Sequence, residues 1–225
     1  MILGVENWND FWLKNPLWFV ACGIGVIMGL IFIKRARKMK GDVKSQKQVF
    51  YGYSLFYFMY IITRILFIFS DIARINHSSY YDTFVSGAYI FTAIALLMMI
   101  STIEKYLIKK TKRIFTFIVL AGLIFILVLF FISTFEEGIL SILRTINTLI
   151  MLIGGLLIFI LYSMLVKYSV GTLRRNSIFS LIGIITIALG MVSDMDALST
   201  VIPLYIPPII VSIGAIIFGV GQKPL

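Results

Sequence analysis

Seven long runs of apolar residues, separated by short polar segments, dominate the pattern along this 225-residue chain. A helix that spans a bilayer needs ~20 mostly apolar residues, because each residue rises ~1.5 Å and the hydrocarbon core is ~30 Å thick. Backbone amides inside lipid must bond within their own segment, so runs of this length predict helices rather than barrel strands. The predicted spans are Leu17–Ile33, Val49–Ser70, Phe84–Ile103, Ile114–Ser133, Ile139–Val166, Ser177–Ser193 and Val201–Gly219.

The composition agrees with this pattern. Hydrophobic residues make up 60% of the chain and charged residues 13%, whereas roughly a quarter of the residues in soluble domains are charged. The seven spans use most of the chain, so we expect one domain over residues 1–225 and no separate soluble domain. The predicted fold class is an all-α integral membrane protein, a bundle of seven transmembrane helices.

The charges are unevenly distributed, and their distribution predicts an orientation. Sixteen of the twenty Lys and Arg fall in Lys34–Lys47, Lys105–Arg113, Lys167–Arg175 and the tail at Lys223, which all lie on one side of the predicted membrane. Eight of the ten acidic residues lie on the other side. The positive-inside rule then predicts an external N-terminus and a cytoplasmic C-terminus in a multi-pass protein of the cell membrane. The basic loops also suit anionic lipid head groups, so the net charge of +10 does not indicate nucleic acid as a partner.

The second span carries polar residues at helical spacing. An arginine deep in a spanning helix costs ~2.5–3.5 kcal/mol on insertion scales, so this face should avoid lipid. Arg64 lies 15 residues beyond Val49, which places it ~22 Å from the cytoplasmic boundary and ~8 Å below the outer one. The residues that share this face are Tyr53, Tyr57, Tyr60, Arg64, Asp71 and Arg74.

A second arginine and three aspartates fall at a similar level. Arg144 lies five residues after the outer start of the fifth span, ~7 Å deep, and the aspartates lie just above. This coincidence predicts an outward-facing polar site for a small anionic, zwitterionic or lipid ligand. Two structural alternatives stay open: ion pairs that only hold the bundle together, and arginines that extend towards head groups. The tyrosines likewise either line a cavity or only pack. The predicted ligand-binding residues are Arg64, Arg144, Asp71, Asp194, Asp196, Tyr60 and Tyr57.

The sequence carries no catalytic constellation and no cofactor or metal motif, so we expect a protein that is not an enzyme. The chain is similar to microbial rhodopsins in length and orientation only, and the seventh run, Val201–Gly219, lacks the lysine that a retinal Schiff base needs. That resemblance carries no residue and implies no function. His77 is the single histidine, which excludes a three-histidine zinc hydrolase. Glu104 precedes Lys105, and this pair predicts a local ion pair rather than a proton carrier.

Two functional classes remain after these exclusions. A receptor-like or sensory module, or a scaffold, would bind its ligand from outside and act on a cytoplasmic or membrane protein partner, since no output domain is expected. A small-solute transporter or channel would need polar residues that continue to the cytoplasmic side, where the spans carry no charge. A structural subunit of a membrane assembly is a further alternative. In the outer loop, Asn76-His77-Ser78 is a glycosylation acceptor sequence, so Asn76 is a candidate for modification.

Overall fold

A computed structural model describes residue 5 and residues 7–39, 44–133, 139–194 and 201–222 of the chain. This described part is helical and contains no strand. Its elements are α1 (Trp8–Lys38), α2 (Lys44–Ile75), α3 (Tyr81–Tyr106), a short 3-10 turn (Lys109–Thr111), α4 (Ile114–Ser133), α5 (Ile139–Tyr168), α6 (Gly171–Ser193) and α7 (Ile206–Gly221).

Six of the described helices, α1 to α6, are long and apolar enough to cross a membrane, and they make the chain a multi-pass membrane protein. The first six predicted apolar runs each lie within one of these helices. α4 is the most apolar of them, and it buries only Val119, Leu123 and Ile126. The remaining surface of α4 therefore faces lipid, as the featureless sequence of this run predicts.

The seventh run forms a shorter helix than its sequence predicts. The run was expected to be helical from Val201, but α7 begins at Ile206 and has 16 residues, while Val201–Tyr205 forms turns. Pro207 and Pro208 occupy the first turn of α7. Proline is tolerated there because the first backbone amides of a helix have no intrahelical acceptor, whereas farther inside it would break a hydrogen bond. The prolines therefore set the start of this helix.

The helices form a ring with one peripheral member. α1, α2, α3, α5, α6 and α7 pack in that order, α7 closes the ring against α1, and α4 packs outside against α3 and α5. Glycines let the backbones of α6 and α7 approach closely. A methyl group added at Gly214 would lie 2.7 Å from the backbone nitrogen of Ile187, and one added at Gly183 would meet the backbone of Phe218. These two helices are therefore packed backbone against backbone.

The two ends of the ring differ in charge. The end where α1, α3, α5 and α7 finish is the basic end, because the basic connections lie there. Arg35 Nη1 donates to the carbonyl oxygens of Gly219 and Gln222 at 3.0 and 2.7 Å, which holds the last turn of α7 against α1. Gln222 Nε2 donates to Ser180 Oγ of α6 at 2.8 Å. The opposite end, where α1 begins, is the N-terminal end.

An aromatic core fills the half of the ring nearer the basic end. Phe32, Tyr53, Tyr57, Tyr162 and Phe218 are almost fully buried and their rings contact one another. Tyr57 donates its hydroxyl proton to the carbonyl oxygen of Ala215 at 2.9 Å. The hydroxyl of Tyr162 donates to that of Tyr53 at 2.9 Å. Their packing closes the centre of the ring at this level.

Candidate functional site

Four charged side chains from three helices meet at the N-terminal end of the ring. Arg64 Nη1 lies 2.7 Å from Asp194 Oδ2. Lys14 Nζ lies 3.3 Å from Asp194 Oδ1 and 3.6 Å from Asp71 Oδ2. These contacts form a chain from Arg64 through Asp194 and Lys14 to Asp71. The four formal charges sum to zero, which is the arrangement that lets ionised groups remain in a poorly hydrated place.

Arg64 is the most enclosed member of this cluster, with only 4% of its surface exposed. Its Nε donates to the hydroxyl of Tyr60 at 2.9 Å, one helical turn earlier on α2. Its guanidinium carbon lies 3.8 Å from the centre of the Trp18 ring. A planar guanidinium can stack on an aromatic ring through its face while its edge forms hydrogen bonds. In Arg64 the face contacts Trp18, and the edge contacts Tyr60 and Asp194. Arg64 therefore faces the interior of the bundle, and its carboxylate partner is Asp194.

Local helix geometry explains this arrangement. Arg64 and Asp71 are seven residues apart on α2, so they lie on one face two turns apart. Asn15 Nδ2 on α1 donates to Asp71 Oδ2 at 3.2 Å. Asp194 is the residue that caps the C-terminal end of α6. A carboxylate there faces the negative end of the helix dipole, so the two cations offset an unfavourable position.

The charged cluster forms part of the wall of a cavity of about 280 Å³. Lys14, Arg64 and Arg74 contribute three cationic groups to this wall, and Asp71 and Asp194 contribute two carboxylates. The other residues that line this polar cavity are Phe67, Ser70, Tyr81, Val85, Tyr89, Thr148, Met151 and Met191.

The structure separates the predicted ligand-binding residues into three groups. Arg64, Asp71 and Asp194 line the polar cavity, and Tyr60 bonds Arg64 beside it. Tyr57 lies in the aromatic core instead, because its hydroxyl bonds Ala215. Of the two remaining predictions, the side chain of Arg144 lies outside the described residues, and so does all of Asp196.

Arg144 can still be placed by its helix position. It precedes Thr148 on α5 by one helical turn, and Thr148 lines the polar cavity. Asn76, the glycosylation candidate, is exposed in the turn after α2.

Sequence reasoning missed Lys14, Asn15 and Trp18. Lys14 precedes the predicted first span, Leu17–Ile33, but it lies within α1 and has 12% of its side chain exposed. A signal for it was present in the charge pattern. When the sixteen basic-end residues are removed from twenty Lys and Arg, four remain, namely Lys14, Arg64, Arg74 and Arg144. The structure brings the first three of these to one cavity.

Two buried polar atoms beside the cluster have no hydrogen-bond partner among the described residues. They are Asn15 Oδ1 and the indole nitrogen of Trp18. Asn15 is 0% exposed and Trp18 is 2% exposed. Buried polar groups are nearly always bonded, to protein or to ordered water. The cluster thus retains hydrogen-bonding capacity beyond its ion pairs.

Glu104 has a different role from the predicted ion pair with Lys105. Its carboxylate accepts from the backbone nitrogens of Phe115 and Thr116 at 3.3 and 2.6 Å, and from Thr116 Oγ1 at 2.6 Å. These groups belong to the first turn of α4, where free amides and the positive end of the helix dipole favour a carboxylate. Glu104 therefore caps α4 and joins it to α3.

The remaining chemistry of the described residues gives no sign of a metal centre, since no group of three His, Cys, Asp or Glu side chains lies close enough together in them. Comparisons with protein-family models, curated protein sequences and solved structures found no match. The class defined by the fold and the site is therefore a multi-pass helical membrane protein with a charged cavity at one end.

Proposed function

We propose that the chain is a receptor-like membrane module in which all seven helices cross the cell membrane. In this proposal the N-terminal end is external and the basic end is cytoplasmic. Support comes from the sixteen basic residues on one side, because such residues are retained in the cytoplasm. α7 alone spans ~24 Å, and the turns from Val201 to Tyr205 complete its crossing at the N-terminal end.

The ligand in this proposal is a small molecule with an anionic or zwitterionic group that enters the polar cavity. The observation that carries the proposal is the set of charged side chains around an enclosed space, where Lys14, Arg64 and Arg74 line the wall together with Asp71 and Asp194. Away from bulk water such charges act more strongly on a ligand than exposed ones do. A carboxylate or phosphate of the ligand would bind these cationic groups in competition with the protein carboxylates.

Binding has a direct route to a conformational response. A ligand anion near Arg64 competes with Asp194, and Asp194 belongs to the end of α6. Weakening this ion pair removes a direct link between α2 and the end of α6. Since a ligand shifts an equilibrium only through differential contacts, exchange of ion-pair partners provides the required difference between two states. The basic loops at the other ends of the helices would present the change to a cytoplasmic or membrane protein partner.

A transporter or channel is a weaker candidate. It requires a polar route past the aromatic core, where Phe32, Tyr53, Tyr57 and Phe218 are packed with at most 2% of their surfaces exposed. Substrate sites of transporters commonly lie near the membrane midplane, whereas the charged cluster lies at the N-terminal end. Uptake of a labelled ligand into proteoliposomes would favour the transporter over the receptor.

The proposal is tested with the purified full chain in detergent. Sodium butyrate, inorganic phosphate and glycine betaine serve as carboxylate, phosphate and zwitterion probes, each compared with sodium chloride at equal ionic strength. We expect at least one probe to raise the unfolding temperature saturably, by an amount that corresponds to ~2.7 kcal/mol at one hundred times its Kd. If none of the three exceeds chloride, the proposed function is wrong.

Single-residue variants test whether the active probe binds in the polar cavity. Arg74 lines the cavity, so Arg74→Gln should weaken binding of the active probe and Arg74→Lys should largely retain it. Arg37 is exposed in the last turn of α1, so Arg37→Gln is the matched control and should bind like the native protein. Equal loss of binding in both glutamine variants would indicate a general charge effect and contradict a site in this cavity.

A further inference from the structure

A second cavity, of about 370 Å³, lies between α5 and α6. Its inner wall is deeply buried and comes from α2, α3 and α7, with Ala95, Met99 and Phe218 at most 2% exposed. Its mouth is formed by exposed apolar residues, such as Leu156 at 59% and Val192 at 39%. This apolar cavity therefore opens sideways, towards the lipid.

The two cavities occupy consecutive segments of the same four helices. On α5 the polar cavity contacts Thr148 and Met151, and the apolar cavity continues from Met151 to Phe159. The same succession holds on α2, α3 and α6. On each helix the polar cavity contacts residues nearer the N-terminal end of the ring, and the apolar cavity contacts residues nearer the middle of the ring.

Shared side chains join the two cavities. Met151 and Met191 line both of them. Methionine side chains are unbranched and adapt to a neighbour's shape, so this partition is deformable. Tyr60 also connects the two spaces, because its ring lines the apolar cavity while its hydroxyl accepts a hydrogen bond from Arg64. A single molecule with a charged group and an apolar chain matches this succession.

The chemistry of each wall selects a part of the ligand. The apolar cavity is lined almost entirely by apolar side chains, and the hydroxyls of Tyr60 and Thr92 already have partners in Arg64 and the carbonyl oxygen of Ala88. A buried water needs two to four polar partners, so this lining does not suit water. An apolar cavity of ~150 Å³ holds one benzene ring, so this cavity has room for a single apolar chain. It extends over nine residues of α5, from Met151 to Phe159, which is ~12 Å along the helix. The cationic side chains of Lys14, Arg64 and Arg74 in the wall of the neighbouring polar cavity suit an anionic head.

We propose that the ligand is a single-chain anionic amphiphile that enters from the membrane between α5 and α6. Its chain occupies the apolar cavity and its head reaches the polar cavity beside Arg64 and Arg74. This inference rests on the proposed function, because it takes the polar cavity as the head-group site. The amphiphile would lie in the orientation of a neighbouring bilayer lipid, with its head towards the membrane surface and its chain towards the midplane.

Gly155 offers a specific way to block the chain site. It lines the apolar cavity, and a side chain added there would meet no atom within 4 Å of its first carbon. Gly155→Leu should therefore fill the space without displacing the backbone. Gly23 also has no atom within 4 Å and is exposed on α1, so Gly23→Leu is the matched control. Ala188→Phe, at the mouth of the cavity, is a second blocking variant on another helix.

The experiment measures binding of radiolabelled palmitate to the full chain in nanodiscs of an uncharged lipid, with hexadecyltrimethylammonium as a competitor of opposite charge. We expect saturable binding of one palmitate per chain, displaced by unlabelled palmitate and not by the cation. Gly155→Leu should weaken palmitate binding about tenfold, a change within the usual cost of overpacking a filled site. Gly23→Leu should bind normally, and native unfolding temperatures of both variants establish that they fold.

The outcomes separate this inference from the proposed function. If butyrate or phosphate binds but palmitate binds no more tightly than butyrate, the chain site is refuted and the head-group site stands. Undiminished palmitate binding in both Gly155→Leu and Ala188→Phe would also refute the chain site. If palmitate binding is lost in the blocking variants but Arg74→Gln has no effect and the cation competes, the anionic head-group site fails. Non-saturable palmitate uptake, equal in all variants, would show bulk lipid in the cavity and overturn the inference.

Discussion

The ion pair between Arg64 and Asp194 provides the sharpest test of the charged cluster. Arg64→Met removes the contact at 2.7 Å, the bond to Tyr60 and the stacking on Trp18, while methionine retains much of the apolar volume. Removing one partner of a buried ion pair costs ~3–5 kcal/mol, because the other charge is left without compensation. Lys14 stays 3.3 Å from Asp194, so we expect ~3 kcal/mol, at the lower end of that range.

Asp71, the second carboxylate of the cluster, allows an effect of direct contact with Arg64 to be distinguished from an effect of the cluster's net charge. Arg64→Met leaves the four-residue cluster with a net charge of −1, and either Asp194→Asn or Asp71→Asn restores neutrality. Arg64 contacts Asp194 directly and is linked to Asp71 through Asp194 and Lys14. We therefore expect a coupling free energy of ~2 kcal/mol between Arg64 and Asp194, within the range for residues in contact, and a value below ~1 kcal/mol between Arg64 and Asp71.

The assay is a double-mutant cycle on the free energy of unfolding, measured by reversible denaturation in mixed micelles with intrinsic fluorescence. Arg37→Met is the control for loss of an arginine, since Arg37 is exposed, and it should change stability by no more than ~0.5 kcal/mol. Equal coupling of Arg64 to both aspartates would show that net charge matters and contact does not. A loss below ~1 kcal/mol for Arg64→Met would refute the buried ion pair.

Three further predictions concern other parts of the fold. A tag at the C-terminus and a tag in the loop Lys34–Lys47 should be protected from protease added to intact cells, while a tag at Ser78–Asp82 should be cleaved; cleavage of the C-terminal tag would reverse the proposed orientation. Arg35→Leu should lower the free energy of unfolding by ~1.5–3 kcal/mol, because its charged hydrogen bonds hold the carbonyls at the end of α7; Arg37→Leu is the control, and equal values for the two would contradict the described contacts. Gly214→Ala should destabilise the protein by ~1–3 kcal/mol because the added carbon meets the backbone of Ile187, whereas Gly23→Ala should be neutral or stabilising, and thermal unfolding of the pair measures the difference.

Periodicity predicted the parts of this fold that depend on one helix at a time. The polar positions of α2 recur at helical spacing, and the structure buries Tyr53, Tyr57, Tyr60 and Arg64 on one face. The run that forms α4 carries almost no polar residue, and this too indicates a helix that faces lipid. Such properties follow from the order of residues along one segment, because a helix fixes which of them share a surface.

Properties that depend on several helices could not be predicted in this way. Lys14 precedes an apolar run, as flanking lysines often do, and only the assembly of the helices into a ring brings it to Asp71 and Asp194. The spacing that groups Tyr57 with Tyr60 cannot show that one bonds Ala215 and the other Arg64. The apolar cavity depends on the absence of a side chain at Gly155 together with the shapes of five helices.

The close glycine contacts between α6 and α7 have a mechanical consequence. Because added carbons at Gly183 and Gly214 would collide with backbone atoms of the facing helix, the two helices cannot slide past each other without separating. They should therefore tilt together as one rigid body. α6 has 23 residues, so a displacement at Asp194 would be transmitted over ~34 Å. Gln222 bonds Ser180 part of the way along α6, and it also bonds Tyr162. Beyond this contact, at the basic end, a change in tilt would move the basic residues at the start of α6.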